Sequence, residues 1–151
     1  MTAEDTRLGE LYVRHAGDAV RLAYLLTGDR ALAEDLVQDA FVRVIGRLGQ
    51  LRGEMRFDAN LRRTVVNLSC GTFRRFRVAR SADGATEERD ELWCRLDSVP
   101  PRQRAALVLR YYEDLSEEQA ARVFGCSTRT LRSLTARGLQ TLRTQESVVA
   151  R

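Results

Sequence analysis

Arg129, Arg132 and Arg137 fall in one stretch, GCSTRTLRSLTARGLQTLR (125–143), together with Ser127, Thr128, Ser133 and Ala136; the stretch contains no acid. Leu131 and Leu134 occupy the opposite side of the same helical period. A solvated helix ordinarily mixes charges and gains i,i+4 pairs. A face built from guanidinium and hydroxyl groups alone is suited to a polyanion. Guanidinium groups fit phosphate and the guanine edge bidentately, and hydroxyls serve either, so the chemistry is duplex DNA binding through a major groove. The preceding residues, SEEQAARVFG, complete helix-turn-helix spacing: Ala121 is small where two helices touch, and Gly125 supplies a left-handed turn. A three-helix packing unit with a merely solvated basic face is the weaker reading, because acid-free faces on acid-rich domains are uncommon.

A second basic segment, 52–80, holds eight arginines against Glu54 and Asp58. Arg52, Arg56, Arg63, Arg74, Arg75 and Arg77 alternate there with Phe57, Phe73 and Phe76 and with the amides Asn60 and Asn67. Such a mixture suits single strands, where arginines follow phosphate while rings and amides hold unstacked bases. Glu34, Asp35 and Asp39 could in principle hold Mg²⁺. They lack a further carboxylate at matching spacing and a nearby His, and the chain shows no nucleophile–base pair or phosphate loop. The expectation is a binding protein that is not an enzyme and needs no metal or other cofactor. Cys70, Cys94 and Cys126 are far apart, with one His in the chain, and read as buried free thiols.

The elements that must position these residues are helical almost throughout. Leu8, Leu11, Tyr12, His15, Ala19, Leu22, Ala23 and Leu26 form an amphipathic stripe in which His15 reads as a partly buried, hydrogen-bonded side chain. Gly28-Asp29 ends this helix, with Asp29 as N-cap of the next. That second helix carries Leu32, Leu36, Val37, Ala40, Phe41, Val44, Ile45 and Leu48. A loop, 51–58, leads to a third, with Phe57, Leu61, Val65 and Leu68 on its apolar face; SCGT (69–72) predicts a kink or fraying there. Residues 78–90 lack an apolar period and read as a flexible linker, acidic over 83–91. Pro100-Pro101 opens a helix running through Tyr112, and Ser116 with Gln119 forms a capping box.

At 151 residues, 44% apolar and 30% charged, the composition is globular. All 25 basic residues are arginine, and the net charge of +4 is spread unevenly. No apolar run approaches ~18 residues, so no membrane insertion is expected. Glu4 and Asp5 replace the basic start of a signal peptide, which points to the cytoplasm.

GDRALAEDLVQDAFVRVIGRL and LRRTVVNLSCGTFRRFR resemble region two of the extracytoplasmic-function (ECF) sigma factors, group 4 of the sigma-70 family, of the actinobacterial SigE-like kind. LDSVPPRQRAALVLRYYEDLSEEQAARVFGCSTRTLRSLTARGLQTLR resembles their region four. The likeness covers about residues 8–143. It implies an all-α fold of two small helical domains, a region-two bundle over 1–77 and a region-four helix-turn-helix over 91–151, joined by the linker. It also implies a sigma factor that brings the RNA polymerase core enzyme to promoter DNA, both duplex and melted single strand. The free chain would be a monomer, with an anti-sigma factor as a further partner. Asp35, Gln38 and Asp39 match the stripe that docks core polymerase; Asp35, Asp39 and Arg43 stand at i, i+4 and i+8, away from the leucines. Arg52, Arg56, Phe57, Asn60, Arg63, Asn67, Arg74, Arg75 and Arg77 match the segment that holds the minus-ten element. The loop 51–58 stands where the family captures a flipped base. Ser127, Thr128, Arg129, Arg132, Ser133, Ala136 and Arg137 match the reader of the minus-thirty-five element. Asn60 stands where the family usually has Trp, Ala136 where a larger side chain is common, and Gly138 where Ala is usual. The alternative is a helix-turn-helix regulator that does not engage core polymerase.

Overall fold

A computed structural model describes residues 3–47, 54–83 and 91–149, with side chains over 6–47, 57–71 and 93–145. The chain divides into two compact units, Met1–Ser69 and Cys70–Arg151. The described residues are helical and contain no strand: α1 (Ala3–Thr27), α2 (Arg30–Ile45), α3 (Glu54–Asp83), α4 (Glu91–Leu96), α5 (Pro101–Leu107), α6 (Glu117–Phe124) and α7 (Thr128–Val149). Among them no helix is long and apolar enough to cross a membrane.

In the first unit, α1 ends at Gly28, whose φ of 75° is the left-handed conformation a side chain resists. Asp29 then caps α2 by accepting the Leu32 amide at 3.0 Å. Buried Thr27 donates to the Ala23 carbonyl at 2.8 Å, so no hydroxyl is left dry at the corner. Leu22, Ala23 and Leu26 of α1 meet Leu36, Val37, Ala40 and Val44 of α2, all buried. Phe41 joins them to α3: its ring centroid lies 5.0 Å from Tyr12 and 5.7 Å from Phe57, within the range of favourable tilted aromatic pairs. His15 is half-buried against Phe57, with Nδ1 3.6 Å from Asp58 Oδ1, as the stripe predicts.

Two expectations for α3 are corrected. It begins at Glu54, so 54–58 is its first turn and no loop; an acid there favours the helix N-terminus, and Phe57 anchors the turn in the core. It also passes through 69–72 without a break and reaches Asp83, so 78–83 of the expected linker is helical. Residues 84–90 lie outside the described residues.

The second unit is organised by one buried cation. Arg104, on α5, is fully buried, donating Nε–H to the Leu96 carbonyl at 2.8 Å and Nη2–H to those of Asp97 at 2.9 Å and Val99 at 2.8 Å. The Leu96 carbonyl ends α4 and those of Asp97 and Val99 lie in the turn that follows, where carbonyls lack helical partners and the helix macrodipole is negative. The guanidinium also lies 4.5 Å over the Trp93 ring, itself fully buried. Past α5 the chain widens into a π-helical turn, Val108–Tyr112, closed by the Glu113 amide on the Val108 carbonyl at 2.9 Å. The turn keeps Val108 and Leu109 buried while leaving Tyr111 and Tyr112 exposed.

Gly138, buried on α7, lies at the crossing with α5: a β-carbon there would stand 2.8 Å from Leu107 Cδ1 and 2.9 Å from Cγ. The cost of glycine to helix propensity is thus offset by close packing that alanine would obstruct. Of the cysteines, Cys70 and Cys126 are half-buried and Cys94 is exposed, which corrects the expectation for Cys94. Burial pushes the Cys70 thiol above its ordinary value, against the pull of Arg102 and Arg104.

Replacing Arg104 by Met should take this donor from three carbonyls, of which Leu96 keeps the Val99 amide at 3.0 Å, and lower stability by about 3 kcal/mol. Urea unfolding of the full chain followed by emission from Trp93, the single tryptophan, checks this. Arg104→Lys should recover only part of the loss, since an ammonium lacks the planar fork.

Candidate nucleic-acid interface

The helix-turn-helix is fixed by caps at each joint. Ser116 accepts the Gln119 amide at 3.1 Å while Gln119 Oε1 accepts the Ser116 amide at 3.0 Å, a complete capping box at the start of α6. Gly125 ends α6 at φ 73°, its amide reaching the Ala121 carbonyl at 2.8 Å. Ser127 then starts α7: its hydroxyl accepts the Thr130 amide at 3.1 Å and donates to Thr130 Oγ1 at 2.9 Å. That hydroxyl is therefore engaged as a cap. Buried Ala121 and Leu131 close the contact between the helices, with Leu134 half-buried.

The side of α7 away from this contact presents Arg129, Arg132, Ser133, Ala136 and Arg137, all exposed, with Thr128 half-buried at the first turn. The face is not acid-free once folded. Glu117, the first residue of α6, accepts from Arg132 Nη2–H at 2.8 Å and from Nε–H at 3.2 Å through the same oxygen, with Oε1 3.4 Å from Nε. This bond holds the Glu117 carboxyl below the ordinary glutamate range and raises Arg132 in turn.

On the first unit, Asp35, Gln38 and Asp39 are exposed on α2, opposite buried Leu36, Val37 and Ala40. Asp39 Oδ1 accepts from Arg43 Nε at 3.2 Å. Val42 continues the stripe one turn on and is 70% exposed. On α3, half-buried Asn60 and exposed Arg63 and Asn67 recur at spacings of three and four, one face of the helix. Phe57, on the apolar face by its spacing but counted with the minus-ten segment by the resemblance, is 2% exposed and part of the aromatic core, so its ring is not offered to a base. Arg52 lies outside the described residues, as do the side chains of Arg56, Arg74, Arg75 and Arg77.

Residues 11–80 match the Sigma-70 region 2 family and residues 89–142 match Sigma-70, region 4. The RNA polymerase sigma-E factor of Streptomyces coelicolor is 34% identical over 155 residues, covering 94% of this chain and 86% of that protein. The chain belongs to the ECF sigma factors of the sigma-70 family. Another relative, the ECF RNA polymerase sigma factor SigE of Mycolicibacterium smegmatis, is 35% identical over 154 residues, covering 89% of this chain and 59% of that one. Among solved structures, the Bartonella quintana sigma factor RpoE, in complex with the anti-sigma factor NepR, has the same fold. It superposes with a TM-score of 0.72 at 23% identity, over 93% of this chain and 96% of that one.

Three features of this sigma factor escape a linear reading. Glu117 is fifteen residues from its partner and is brought to it only by the turn at Gly125. Arg104 reads as one more arginine of a basic chain. Val42 is an apolar side chain in a helix whose other valines are buried, and only its register beside Asp35 and Asp39 marks it as outward.

Because the folded Glu117 value is depressed, the stability from its pair with Arg132 is present above the unfolded glutamate value and fades as pH falls through the folded one. A side-chain carboxyl NMR titration should therefore give Glu117 a midpoint below the ordinary range, and Arg132→Ala should move it upward. An unchanged midpoint in Arg132→Ala would show that the pair does not form in solution.

Proposed function

We propose that this chain is the promoter-specificity subunit of a bacterial RNA polymerase, with residues 1–77 docking the core enzyme and holding the minus-ten element and residues 91–151 reading the minus-thirty-five element. The observation that carries the reading is that two surfaces differ in charge, an exposed acidic stripe on α2 and an exposed arginine face on the second helix of a helix-turn-helix. Asp35, Gln38, Asp39 and Val42 offer core polymerase a rigid helical ridge, charged with an apolar step beside it. Asn60, Arg63 and Asn67 offer amides and a guanidinium to a melted strand. Arg129, Arg132, Ser133 and Arg137 supply groups for phosphate and base edges at the N-terminal half of a recognition helix, the part that enters a major groove.

In this reading the chain is a transcription initiation factor and no enzyme; the bond chemistry belongs to the polymerase. It acts in the cytoplasm and is a monomer when free. Among solved proteins of this fold, RpoE is in complex with the anti-sigma factor NepR and CnrH with the cytosolic domain of CnrY. An anti-sigma factor is accordingly a proposed partner here, covering the same surfaces that polymerase and promoter use.

The chain should co-purify with core polymerase and confer transcription from a promoter that core alone ignores. Asp35→Arg combined with Asp39→Arg should abolish co-purification while leaving the chain folded, the unfolding midpoint falling only slightly through loss of the exposed Asp39–Arg43 pair. Duplex binding with no retention of core by the unaltered chain would make it instead a helix-turn-helix regulator.

A further inference from the structure

The contact between Glu117 and Arg132 divides the guanidinium in a particular way. A guanidinium carries five N–H groups: one on Nε and two on each terminal nitrogen. Glu117 Oε2 takes the Nε/Nη2 edge, at 3.2 and 2.8 Å. The outer fork between Nη1 and Nη2 is left for another acceptor, and that fork has two parallel N–H groups able to pair bidentately with guanine O6 and N7. The Arg132 side chain is 67% exposed, so the fork is accessible, whereas Glu117 is 35% exposed on a helix start pinned by the Ser116–Gln119 box. The flexible partner is thereby held by the fixed one.

We propose that Glu117 is a positioning residue for promoter specificity: by holding one edge of the Arg132 guanidinium, it aims the other at a single base pair of the upstream element. This rests on the reading of α7 as the DNA-recognition helix. A long arginine reaches phosphate or base from many rotamers, and its sequence preference depends on which one is populated. Fixing the Nε edge removes rotamers in which Arg132 folds back along the DNA backbone, so the entropy of ordering it is met before DNA arrives. A carboxylate near DNA with no such duty would only repel phosphate, on every sequence alike.

The test uses the full chain assembled with core polymerase, equilibrated with duplexes randomised across the upstream element, with bound and free pools sequenced. Arg132→Ala should flatten the preference at one base pair by roughly 5- to 150-fold, the range of a bidentate guanine contact. Glu117→Ala should flatten that same position by about 2- to 10-fold, as expected for coupled neighbours, while other positions keep their profile. Glu117→Gln, which keeps the acceptor oxygen, should retain most of the preference. Glu117→Ala added to Arg132→Ala should change nothing further. If Glu117→Ala instead raises affinity evenly on all sequences with the profile intact, the positioning role is overturned while the recognition helix stands. If Arg132→Ala itself leaves the profile intact, Arg132 is no base reader, and both the inference and that part of the functional reading fall.

Discussion

Everything that presents the DNA-facing helix depends on a cation with no access to water. A guanidinium moved from water into a packed interior is tolerated only when its donors meet acceptors. Arg104 meets carbonyls of Leu96, Asp97 and Val99, the last of α4 and two of the turn after it, with Trp93 beneath it. This ties a short helix that could not stand alone to α5. Through the crossing at Gly138, α5 in turn holds α7. The recognition helix is therefore set by a chain of contacts that begins at Arg104, and the turn at Gly125 only chooses the angle of α6 against it.

The charge of the protein matters by its placement more than by its total. A net +4 over 151 residues is unexceptional. Within that total stand an acidic ridge on α2 and an arginine face on α7, each on the side of its helix that carries no core residue. Opposite signs on separate units fit a molecule that must grip a protein and a nucleic acid together. The Glu117–Arg132 bond refines this scheme, since a single acid inside the basic face gives direction to one arginine among several.

Much of the local structure was legible in the sequence because its causes are local. Asp29, Ser116, Gly125 and Pro101 act within a turn of themselves, and each stands where its chemistry predicts. The exposed side of α7 followed from the 3.6 period; the α2 stripe was marked by the family resemblance, the period only setting it away from the leucines. The start of α3 was not legible: 51–58 reads as a loop by composition, whereas 54–58 is helical and Phe57 packs against Phe41 and His15. The same long-range packing removed Phe57 from the set of base contacts. Nor could a linear reading separate the structural arginine, Arg104, from the recognition arginines, because burial belongs to the fold and not to the residue type. Gly138 looked like a defect in a helix until Leu107 was seen against it.

The central claim is that the two units work on two promoter elements within one polymerase complex. Hydroxyl-radical footprinting of core polymerase with and without the chain, on a promoter selected by the assembled complex, tests it most directly. The account predicts two protected patches that appear only when the chain is present. The upstream patch should vanish when Arg129, Arg132 and Arg137 are together changed to Ala, while the chain remains bound to core. A single protected patch, or an upstream patch indifferent to those arginines, would contradict it.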